Sequence, residues 1–166
     1  MFQLKPLSPS AIPAALAKAE RYRLLNEPEQ AESICEDILA TQPDHRDALI
    51  VLLLALSDRF PYQDGWLVSR AQTLVAKLDT EYDRAYYGGL VAERRARALL
   101  GPAGGPSQTV GRWLSEAMSL YERAESVRPA GNDDACLRWN ACARLFNQNP
   151  GLLVTDDERS MPAMLE

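Results

Sequence analysis

The chain has 166 residues, 46% hydrophobic and 25% charged, which is the composition of one globular domain. A chain of this length buries enough surface to fold without a disulfide or a metal. Its 18 Lys and Arg stand against 23 Asp and Glu, a net charge of −5 that speaks against general nucleic-acid binding, for which a basic face is needed.

Residues 1–9 contain Pro6 and Pro9 and no apolar stretch of signal-peptide length, and read as an N-terminal extension. In residues 10–25, Ile12, Ala15, Leu16, Ala19, Tyr22 and Leu25 recur every three or four positions, which predicts one buried helical stripe. Asn26 is expected to cap a second helix, with Pro28 in its first turn and Glu29 three residues after the cap. That helix buries Ala31, Ile34, Cys35, Ile38 and Leu39 and stops at Pro43. Asp44 is expected to cap a third, in which residues 48–56 are so apolar that they must be covered on more than one side. The run is too short to cross a bilayer. Phe60 and Pro61 end it.

Asp64 opens a fourth helix, with Trp66, Leu67, Ala71, Leu74, Val75 and Leu78 on its stripe. Thr80 and Asp83 have capping-box spacing for a fifth, which runs to about Leu100. Residues 101–107 form the one low-complexity Gly/Pro loop. A sixth helix runs to about Arg128, before Pro129. Asn132 caps a seventh, which carries Ala135, Leu137, Trp139, Cys142, Leu145 and Phe146. Residues 148–166 read as a polar, acidic tail. Trp66, Trp113 and Trp139 all fall on apolar stripes and are expected in the core. Cys35, Cys136 and Cys142 have no metal or redox spacing and read as small buried groups, and His45 stands alone, so no metal or cofactor is expected. A soluble, reducing, cytoplasmic setting follows as the default.

Two windows of the sequence repeat. Ala31, Ile34, Cys35, Glu36, Ile38 and Pro43 align without gaps on Ala117, Leu120, Tyr121, Glu122, Ala124 and Pro129. In each, a small residue lets a second helix approach its partner closely, and Pro twelve positions later ends the helix. On these residues the chain resembles the tetratricopeptide repeat (TPR) family, whose unit is a helix–turn–helix of 34 residues with small, aromatic and Pro signature positions. Ala19 and Tyr22 match the leading helix of a first repeat, and Ala117, Tyr121, Ala124 and Pro129 match a third. The middle repeat matches at Ala71 but has no closing Pro, and Ala15 replaces the leading Trp. Pro43 and Pro129 stand further apart than two standard repeats would place them, with the excess assigned to residues 59–64 and 101–107. The resemblance implies an all-α, TPR-like helical solenoid over residues 10–147, with about seven antiparallel helices in three repeats and a seventh helix capping the last exposed face.

No motif for hydrolysis, phosphate binding or metal catalysis occurs. Adjacent acid pairs such as Asp133-Asp134 point about 100° apart on a helix and do not converge. The chain is therefore read as a non-enzymatic protein–protein interaction module. The resemblance implies a concave groove lined by the leading helix of each repeat, which would hold a protein or peptide segment. Its candidate lining is Glu20 and Arg23 from the first helix and Ile50, Val51 and Leu54 from the third. Gly88, Gly89, Ala92 and Arg95 follow from the fifth, and Asn140 and Arg144 from the seventh. Arg23, Arg95, Asn140 and Arg144 would be polar anchors for an acidic group, because Arg grips a carboxylate with two parallel hydrogen bonds. Gly88-Gly89 is read as a close helix contact rather than an opening for ligand. A dedicated chaperone for a secreted or unfolded client, and a homodimer formed through the apolar third helix, are the alternatives. Neither nucleic acid nor membrane is expected as a partner.

Overall fold

The computed structural model describes residues 2–62, 65–101 and 105–152. Seven helices follow one another: α1 (Ile12–Leu24), α2 (Pro28–Thr41), α3 (Arg46–Asp58), α4 (Trp66–Ala76), α5 (Glu81–Leu100), α6 (Gln108–Ser126) and α7 (Asp134–Gln148). Three-residue 3-10 turns occupy Pro9–Ala11, Phe60–Tyr62 and Pro150–Leu152. Among the described residues there is no strand, so the all-α expectation holds.

Helix ends follow local chemistry, and two differ from expectation. Asn26 does not cap α2. It adopts φ 61°, and its N–H and that of Glu27 donate back to the carbonyls of Arg23 and Tyr22. This pattern closes α1 with a left-handed residue, a conformation that Asn tolerates better than other side chains. Pro28 then opens α2, whose cap position is Glu27 with no side-chain hydrogen bond. At α3 the cap is His45, not Asp44: its Nδ1 accepts the Ala48 N–H at 3.2 Å. Thr80 caps α5 as expected, accepting the Asp83 N–H at 3.0 Å. Asn132 accepts the Asp134 N–H at 3.0 Å, one residue ahead of the α7 cap position. Asp64 lies outside the described residues.

Each helix packs on the next in chain order, and α1 also touches α3, as α3 touches α5. Two cores result. One joins α1 to α4 and includes Ala19, Cys35, Leu53, Leu56 and Leu67, with Val91 reaching in from α5. The other joins α5 to α7 around Ala92, Leu114, Tyr121 and Cys142, and Trp113 packs against both. The small residues of the repeat pattern, Ala19, Ala31, Ala71, Ala117 and Ala124, are all at 0% exposure. From Ala48 to Ser57 every residue of α3 except Leu54 is buried. Its apolar surface packs against α1, α2, α4 and α5.

Four positions depart from expectation. Helices α5 and α6, with 20 and 19 residues, are longer than α1 and α2, with 13 and 14. Trp66 is 53% exposed rather than core, with the Arg70 guanidinium 5.9 Å from its ring centre. Leu25, which follows the last residue of α1, and Leu137 of α7 are exposed. Leu152, assigned to the tail, is fully buried in the second core. The ordered helical body therefore continues past residue 147, while residues 153–166 of the tail lie outside the described residues.

Burial pushes the Cys35 and Cys142 thiols up to about 12. The thiolate is the reactive form, so both should resist alkylation near pH 8 in the folded protein. Mass spectrometry after brief iodoacetamide treatment should find label on half-buried Cys136 alone, and on all three after denaturation.

Candidate functional site

Arg23 follows the buried Ala19 by one turn and leaves α1 where that helix meets α3. Its Nε donates to Asp58 Oδ2 at 2.8 Å and its Nη2 to Oδ1 at 3.3 Å. From the other side, Arg94 of α5 donates through Nη1 to the same Asp58 carboxylate, to the Ser57 hydroxyl at 2.8 Å and to the Leu54 carbonyl at 3.4 Å. Asp58 is thus a carboxylate held between two arginines from two other helices. The alignment of α1, α3 and α5 is tied at this level.

A second carboxylate lies one residue before Arg94. Glu93 is fully buried and accepts from Tyr121 Oη at 2.8 Å and from Arg97 Nε at 2.8 Å, with Arg138 Nη2 of α7 at 3.0 Å. Three donors around one buried carboxylate meet the requirement for a charge taken out of water. Burial and the neighbouring Glu93 charge raise the Tyr121 hydroxyl above the ordinary phenol range, so it keeps its proton and donates. Gly89, one turn before Glu93, makes this possible. A Cβ there would lie 2.7 Å from Tyr121 Cε1, so the ring rests on bare backbone. The Gly88-Gly89 pair is therefore a packing device: Gly88 backs onto Leu120 of α6 and Val75 of α4.

At the opposite end of the same helices, Arg46 of α3 binds Asp83 of α5 through Nε at 2.7 Å and Nη2 at 2.8 Å. The hydrogen bond from Arg46 holds the Asp83 carboxyl below its ordinary range. A depressed carboxyl contributes stability that is complete above the unfolded value, about 3.9, and is lost as pH falls through the lower folded value. Because Arg46 is half exposed, Arg46→Ala should cost about 1 kcal/mol at neutral pH. The difference between the two proteins should vanish in melts below that lower value, where Asp83 is protonated in both.

The structure divides the predicted groove residues. Arg23 and Leu54 lie together at the α1–α3–α5 junction, and the exposed Glu20 precedes Arg23 by three residues on α1. Ile50 and Val51 are buried, so they are walls of the first core rather than an open floor. Ala92 is buried in the second core. Arg95 follows Gly88 by seven residues, two helical turns, so it shares the side of α5 turned to α4 and α6 and not the side of Arg94. Asn140 and Arg144 lie one turn apart on α7, with Asn140 Nδ2 3.8 Å from Cys136 Sγ. Asn140 is about 200° around the helix from Arg138, the residue that faces α5. The residues that do converge, and that the sequence reading placed in no groove, are Asp58, Glu93, Arg94, Arg97 and Arg138.

Among the described residues no three His, Cys, Asp or Glu are grouped to hold a metal ion, and no helix is long and apolar enough to cross a membrane. No protein-family model, curated protein or solved structure matches the chain.

Proposed function

We propose that this protein is a non-enzymatic, TPR-like helical scaffold that holds a segment of another protein against the face of α1, α3 and α5. The observation that carries the reading is the contact of α1 with α3 and of α3 with α5, reinforced by Arg23–Asp58–Arg94, which makes α1, α3 and α5 one continuous surface. The complete burial of Ala19, Ala31, Ala71 and Ala117 supports it, because a stack of helical pairs needs small residues where helices approach most closely. An extended surface built from successive repeats suits a bound chain segment, and the concentration of ion pairs on it suits recognition rather than reaction chemistry. We place the protein in the cytoplasm on the same reading.

The test is a capture experiment with the full chain from lysate of its own host. Wild type is compared with Glu20→Trp/Leu54→Gln, which obstructs this face without adding a positive charge, and with Arg21→Glu on another side of α1. A partner kept by Arg21→Glu and lost by the face variant, with the helical circular dichroism of wild type retained, supports the scaffold. Equal recovery by both variants places binding elsewhere and overturns the reading.

A further inference from the structure

The charge on this face is unlike that of the chain. Arg23, Arg94, Arg97 and Arg138 stand against Asp58, Glu93 and the exposed Glu20, so this face carries net positive charge in a protein whose net charge is −5. The internal acids do not exhaust these arginines. Among the described residues Arg94 directs only Nη1 at its three acceptors, and Nε and Nη2 meet none. Arg97 uses Nε on Glu93, its two terminal amino groups meet no acceptor among the described residues, and its side chain is 45% exposed. Arg94 and Arg97 are three residues apart, hence neighbours on one side of α5.

Each guanidinium is therefore pinned by a carboxylate of its own chain while it still offers donors. A pinned side chain loses little freedom when it binds, and a guanidinium edge matches a carboxylate with two parallel hydrogen bonds. We propose that the segment held on the α1–α3–α5 face is acidic, and that Arg94 and Arg97 grip two of its carboxylates. This rests on the scaffold reading above and names the chemistry of its partner. The separation of side chains three apart on a helix, about 5–6 Å at Cβ, suits two acidic residues alternating along an extended segment, about 7 Å apart.

The probes are three labelled peptides of one length, with Glu, Gln or Lys alternating with Ser, titrated with the full chain and followed by fluorescence anisotropy. The Glu peptide should bind, more weakly as salt rises, and the Gln and Lys peptides should not. Arg94→Gln/Arg97→Gln should weaken the Glu peptide roughly tenfold or more, since two charge-assisted contacts are lost. Arg97→Lys, which keeps the charge and removes the fork, should fall between that variant and wild type. Arg21→Gln/Arg112→Gln, which removes the same charge elsewhere, should bind as wild type. Equal binding of Glu and Gln peptides, or a Glu affinity unmoved in a folded Arg94→Gln/Arg97→Gln protein, overturns the proposal. If the captured partner depends on Glu20 and Leu54 but not on Arg94 and Arg97, the scaffold stands and the acidic segment falls. If the Glu peptide binds through Arg94 and Arg97 while both capture variants recover the same partners, the acidic site stands and the scaffold reading falls.

Discussion

Glu93→Ala is expected to lower stability by about 3 kcal/mol, the low end of the range for removing one member of a buried ionic cluster. The loss has two parts. The Tyr121 hydroxyl, in a fully buried residue, keeps its proton but loses its acceptor. Arg138, half-buried, loses the ion pair it makes with Glu93, whereas Arg97 is exposed enough for water to replace much of what it loses. The effect is held below the top of the range for that reason. Thermal unfolding should show a midpoint lower by about 6–12 °C, on the scaling for chains of this size. Tyr121→Phe removes one donor of three and should cost about 1–2 kcal/mol. A Glu93→Ala midpoint within two degrees of wild type would show that the cluster contributes no net stability.

The second large effect is expected at Gly111. A Cβ on this buried residue of α6 would lie 2.1 Å from the Leu152 carbonyl oxygen, and that atom is backbone, which cannot rotate aside. Gly111→Ala should therefore lift the Pro150–Leu152 turn off α6 and expose Leu152. The cost should be about 2–3 kcal/mol, the value of burying one Leu side chain, because undocking the turn is cheaper than distorting the helix. Leu152→Ala should cost about the same. If both substitutions release one turn, the double variant should be scarcely less stable than either single one, and urea midpoints for the four proteins of the cycle would show the coupling. Additive losses would mean that α6 itself is strained by the Ala.

Much of this architecture is legible in the sequence, and the misses have identifiable causes. Helical period and breaker positions give seven helices because each buries one stripe, and the Ala positions of the repeat pattern fall where helices meet. The candidate site was harder to read because one residue of error turns a side chain by about 100° around a helix. Arg94 and Arg95 differ by that step, and what decides between them is which neighbours Gly88 and Gly89 pack against, a tertiary fact. Asn26 misled because Asn serves both as an N-cap and as a left-handed helix terminator, and α1 and α2 are close enough to compete for it. Leu152 had no periodic partners to reveal it. Gly111 was a usable signal, since a Gly within a helix costs about 1 kcal/mol against Ala and so marks a place where another backbone comes near.

Adjacent residues of α5 belong to different cores: Val91 packs with the first four helices and Ala92 with the last two. The helix is a party wall between two rooms. In a stack whose members touch mainly their neighbours, mechanical load applied at the two ends strips helices inward from each, with every outer helix giving up one neighbour's contacts at a time. Helices α1 and α7 are the first to go, and the α5–α6 pair, which shares the most extensive contact, is the last to part.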